Sequence, residues 1–143
     1  MAKGIVVGVD GSEPSREALE WAADEARLRG VPLTVVHAWS SPWEAWGEVE
    51  SPPPIGEDES ARREELLEPE IEFLRRSHAD VAVEPVVTND LDAHALIEAS
   101  DDADLIVVGS RGRGGFAGLL LGSVGQQVVH HARCPVVVIP HDR

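Results

Sequence analysis

Short apolar runs alternate with helical spacings along most of the chain. Ile5-Val-Val-Gly-Val9 is β-branched and stops at Asp10-Gly11-Ser12, which reads as a buried strand and a turn. Ser12 or Glu13 can cap a helix with Pro14 near its first position. Ala18, Leu19, Ala22, Ala23 and Ala26 then follow at helical spacing; Gly30 closes the helix and Pro32 forbids its continuation. Leu33-Thr-Val-Val-His-Ala38 is a second buried strand.

Residues 39–59 break the pattern. Tryptophans at 39, 43 and 46 mix with prolines and acids without any period, which predicts a loop of unusual length. The tryptophans either cover a ligand or partner, or cluster on the sheet edge. Ser60–His78 is a charged amphipathic helix that Pro69 should kink or restart. Val81–Val87 is a third strand, and Pro85 places it near an edge. Asn89 or Asp90 caps a helix whose Ala93, Leu96 and Ile97 share a face. Asp104–Gly109 is a fourth strand whose unbroken apolar run predicts burial on both faces. Val124, Val128, Val129 and Ala132 repeat at helical spacing, and Val136–Ile139 is a fifth strand.

Strands that alternate with helices predict an α/β fold: an open, twisted parallel sheet with right-handed crossovers covering both faces. Ligands in such sheets sit beyond the carboxyl ends of the strands, where the strand order reverses. The first and fourth strands should flank that point. The turns there are Asp10-Gly11-Ser12 and the glycine-rich "GSRGRGGFAGLLLGSV" of residues 109–124.

The second of these turns has the makings of a phosphate cradle. Gly109 leaves room beside the backbone, and Gly112 can present its N–H at positive φ. Gly122-Ser123 opens a helix, whose free N–H groups and dipole favour an anion, and Ser123 adds a hydroxyl. Arg111 and Arg113 are the nearest positive charges, and Leu119–Leu121 should pin the intervening loop to the core. A Walker loop is absent, with no lysine nearby. Residues 112–117, "GRGGFA", match a dinucleotide G-x-G-x-x-A only weakly: no helix pattern follows at once, and no acid stands about 20 residues on. "VDGSEPS" lacks the Ser-Gly-Gly-x-Asp-Ser loop of ATP pyrophosphatases.

Composition narrows the ligand. The chain has 143 residues, about one domain, and a formal net charge of -14 from 26 acidic and 12 basic residues. That surface repels nucleic-acid backbones and anionic lipid, so neither is an expected partner. One cysteine, Cys134, permits no internal disulfide and reads as an inert buried thiol. The start, "MAKGIVVGVDGS", is too short in apolar residues for a signal peptide or membrane span, so the expectation is a soluble, cytoplasmic protein. Adjacent His130 and His131 point about 100° apart on a helix and do not read as a metal site.

Over nearly all its length, the proline-rich loop excepted, the sequence resembles the universal stress protein family. It is similar to the ATP-binding branch, whose signature G-x2-G-x9-G-[ST] is met by Gly109, Gly112, Gly122 and Ser123. "VGVDGS", "VVHAW" and "CPVVVIP" are also family-like. The resemblance implies one domain, residues 1–143, with a Rossmann-like five-stranded sheet of order 3-2-1-4-5. It implies ATP, with Mg2+, as cofactor. Asp10 would lie near the ribose and phosphates or the metal. Ala38, where the family often has valine, would line the adenine pocket. Val108 and Gly109 would back the adenosine; Arg111 and Gly112 would meet the ribose-phosphate region; Gly122, Ser123 and Val124 would bind the phosphates.

Three functions stay open on these residues: a nucleotide-dependent regulatory module in stress response with an unidentified protein partner, a slow ATPase, and a nucleotide-free dimeric scaffold. With order 3-2-1-4-5 the apolar last strand is an edge, which predicts a homodimer through Val136–Ile139.

Overall fold

The computed structural model describes residues 3–10, 13–38, 57–88, 92–110 and 123–140. The elements run β1 (Ile5–Val9), α1 (Glu13–Arg29), β2 (Leu33–Ala38), α2 (Glu57–Ser77), β3 (Val83–Thr88), α3 (Asp92–Ala99), a 3₁₀ turn (Ser100–Asp102), β4 (Leu105–Gly109), α4 (Ser123–His131) and β5 (Val136–Ile139). All five strands are parallel, in the order β3-β2-β1-β4-β5.

Side-chain alternation along the central strands builds two cores. Ile5, Val7, Val9, Leu105 and Val107 face one side and pack with α1 and α2 through Leu19, Ala22, Leu67 and Leu74. Val6, Ile106 and Val108 face the other and pack with α3 and α4 through Leu96 and Val128. A strand buried on both faces cannot alternate with polar residues, which is why β1 and β4 read as unbroken apolar runs.

Several boundaries differ from the sequence reading. Glu57, Asp58 and Glu59, expected in the loop of 39–59, belong to α2; acids are favoured in a first turn by the helix dipole. The helix also runs unbroken through Pro69. A helix-interior proline costs about 3 kcal/mol. Burial of Leu67, Ile71 and Leu74 around it contributes roughly 1.5–3 kcal/mol each, which outweighs that cost.

The third strand starts at Val83 rather than Val81, because the Val81 N–H turns back to the His78 carbonyl at 3.0 Å. Its place at the sheet edge fits Pro85. Asp104 precedes β4 instead of opening it: its Oδ2 accepts the N–H groups of Lys3 and Gly4 at 2.7 and 2.8 Å. On α4, Val128 is buried and Val124 and Ala132 are partly so, but Val129 is 47% exposed. Cys134 is half-buried rather than fully enclosed; burial still pushes its thiol above the usual range. The tryptophans at 39, 43 and 46, Asn89, Asp90 and the leucines at 119–121 lie outside the described residues.

Candidate functional site

β1 and β4 do not stay paired to their ends. Their ladder runs from Ile5↔Leu105 to Val7↔Val107 and, among the described residues, stops there. Yet β1 continues beside β2 as far as Val9↔His37, and β4 beside β5 as far as Gly109↔Ile139. The central strands therefore part over their last two residues, while each holds its outer neighbour. Strand order reverses at this same pair. In open α/β sheets this switch point is where the ligand crevice lies, here bounded by the ends of β1 and β4.

Each wall has a local cause. Gly8 sits against α3, where a Cβ would come within 2.7 Å of Leu96 Cδ1. The missing side chain lets the helix lie directly on β1. Val108 is buried on the α3–α4 face, next to Gly109 at the strand end. The Ser110 N–H donates to the Ile139 carbonyl at 2.8 Å and draws the end of β4 toward β5. That bond carries the β4–β5 pairing past the point where the β1–β4 ladder ends.

The predicted residues fall as follows. Asp10 is half-buried directly after β1 and is engaged in a polar or electrostatic contact. Val108 and Gly109 close β4. Ala38 ends β2, paired with Thr88. Ser123 is the first residue of α4, and Val124 follows it, half-buried. Because α4 connects parallel strands, its amino end lies at the carboxyl edge of the sheet, the same edge as the crevice. The fold thus gathers Asp10, Val108, Gly109 and the start of α4 along one edge. Arg111, Gly112, Arg113 and Gly122 lie outside the described residues.

Ser110 was not singled out from the sequence. It is a buried polar residue next to Gly109, and its signal is its position between Gly109 and Arg111. A second polar constellation was also missed. His78 is buried and its Nε2 bonds Asp24 Oδ1 at 2.7 Å, while its Nδ1 shares a 2.6 Å bond with Ser77 Oγ. These are the residue types of a hydrolytic triad, but the Ser77 hydroxyl also donates back to the Phe73 carbonyl at 2.8 Å, as serines in helices do. The trio ties α1 to the last turn of α2, at the amino edge of the sheet. It supplies no base to the crevice.

The universal stress protein family matches residues 1–140. A universal stress protein of Mycobacterium tuberculosis (strain H37Rv) is 41% identical over 135 residues, which is 94% of this chain and 44% of that protein. The chain thus spans under half the length of this relative. Two similar solved structures are complexes with nucleotides. The universal stress protein of Archaeoglobus fulgidus in complex with dAMP is 27% identical, with a TM-score of 0.67 over 95% of this chain and 96% of that one. A universal stress protein in complex with cAMP is 28% identical, with a TM-score of 0.63 over 95% and 94%.

Proposed function

The chain belongs to the universal stress protein family, and on that premise we propose that residues 1–143 form one ATP-binding regulatory module of the stress response. The parting of β1 and β4 beyond Val7↔Val107 carries the reading. It leaves a cleft at the switch point, where doubly wound sheets hold their ligands. Neighbours that bind dAMP and cAMP support a nucleotide. The G-x2-G-x9-G-S spacing favours a triphosphate.

The residues fit such a group. Gly109 brings bare backbone to the crevice, and α4 begins at the same edge with Ser123, where free N–H groups suit an anion. In this reading Ala38, Val108 and Gly109 back the adenosine. Arg111 and Gly112 meet the ribose-phosphate region, and Gly122, Ser123 and Val124 bind the phosphates. Asp10 holds the ribose or a Mg2+ ion. ATP occupancy then changes what the module binds. Denaturing the purified protein and identifying the released nucleotide tests this. ATP or ADP in stoichiometric amount is expected. A nucleotide-free protein that also ignores added ATP would make it a scaffold.

A slow ATPase uses the same site. Against rapid chemistry, the described acid at the crevice is Asp10, and the His78–Asp24 pair stands at the other edge of the sheet. Turnover with magnesium is expected below about 1 s⁻¹, the low end for enzymes. Rapid, Asp10-dependent phosphate release would make the protein an enzyme.

The two sheet edges support a dimer. β3 carries Glu84 and Pro85, which discourage pairing. β5 is Val-Val-Val-Ile, half-buried throughout. Antiparallel pairing of β5 with a second copy covers that edge.

A further inference from the structure

Between α1 and α2 lies a groove of about 420 Å³, open to solvent. Pro69 and Phe73 give it an apolar floor, and Arg16, Glu72, Arg76 and Ser77 complete the lining. Its chemistry is set by one arginine. Among the described residues, Arg27 pairs with Asp80, Arg29 with Glu25, Arg75 with Glu68 and Glu72, Arg76 with Glu72, and Arg133 with Asp101. Among the described residues Arg16 has no such partner. Its guanidinium carbon instead stands 5.6 Å from the centre of the Phe73 ring.

In a chain with 26 acids against 12 bases, an arginine without a carboxylate is the unusual case. Stacking on Phe73 orients the guanidinium and leaves its N–H fork free for a planar anion. In the lining itself Arg16 and Arg76 stand against Glu72 alone, and Glu72 is shared between Arg75 and Arg76. We propose that this groove docks an acidic segment of a partner protein, with an apolar side chain on Phe73 and Pro69 and a carboxylate on Arg16. The open shape at a helix–helix seam suits a peptide more than an enclosed small molecule. Arginine and aromatic residues are also the side chains that anchor interfaces. The net charge of -14 opposes an acidic partner at long range, so docking here depends on short-range contact with Arg16 and Phe73.

The probe is a fluorescein-labelled peptide with one tryptophan flanked by glutamates. Its lysine-flanked counterpart and N-acetyltryptophan serve as comparisons. Anisotropy should show saturable binding of the glutamate peptide, weakened by salt. NMR shifts should centre on Arg16, Phe73 and Ser77. Arg16→Gln, a surface change that spares the fold, should weaken binding about tenfold or more, the loss expected of an anchoring residue. Phe73→Ala should do the same, with its fold checked by circular dichroism. Four results would each overturn the proposal: no binding of the glutamate peptide, equal binding of the lysine peptide, undiminished binding by Arg16→Gln, or N-acetyltryptophan binding as tightly as the peptide. Self-association that is lost in Arg16→Gln would make a second copy the occupant and overturn it too.

Discussion

Gly8 of β1 and Leu96 of α3 meet so closely that a Cβ on the glycine would lie 2.7 Å from Leu96 Cδ1 and 3.3 Å from Cδ2. Leu96 is itself buried, 3% exposed, so it has little room to yield. Gly8→Ala should therefore destabilise by about 1–3 kcal/mol, the usual range for overpacking, and Gly8→Val by more. The urea midpoint should fall with the m-value unchanged. An unshifted midpoint would mean that α3 moves off the sheet freely.

Asp104 accepts the N–H of Gly4 and of Lys3, and the Gly4 bond above all holds its carboxyl below the usual aspartate range. A depressed folded pKa contributes stability above the unfolded value, lost as pH falls through the folded one. Wild type should thus be more stable than Asp104→Asn at pH 7. The difference should begin to shrink as pH drops below about 4, where the unfolded-state carboxyl protonates, and vanish once the pH passes the lower folded value. Thermal melts of both proteins across pH 2–7 check this; a gap constant with pH would show that the charge is not responsible.

Gly112→Val should abolish ATP binding with the fold intact, because a side chain would occupy phosphate space. Ser123→Ala should lose one hydrogen bond to a charged group. That is worth about 1.5–3 kcal/mol, or roughly 10- to 150-fold in affinity. Calorimetric titration of each variant with ATP decides it; undiminished affinity in Gly112→Val would move the triphosphate elsewhere.

Val137→Pro removes a backbone donor from β5 and should block edge pairing. Sedimentation at micromolar concentration should give a dimeric mass for wild type and a single-chain mass for the variant. A dimer that survives the change would exclude β5 as the interface.

The sequence alone determined the order of strands and helices along the chain and the edge at which Asp10, Gly109 and Ser123 stand. Ile5–Val9 and Leu105–Gly109 could be read because burial on both faces demands unbroken apolar runs, and Gly30, at a φ of +67°, marks the end of α1. These signals are local, so one chain carries them in full. Only the tertiary structure decided that β1 and β4 part after Val7↔Val107, that α2 passes through Pro69, and that Val129 faces solvent. It also decided that Asp104 clasps Lys3 across 101 positions, that His78 finds Asp24 across 54, and that Arg16 stacks on Phe73. Each of these depends on which distant side chain arrives at the same place. That is fixed by the packing of whole helices on the sheet, and no spacing along the chain encodes it.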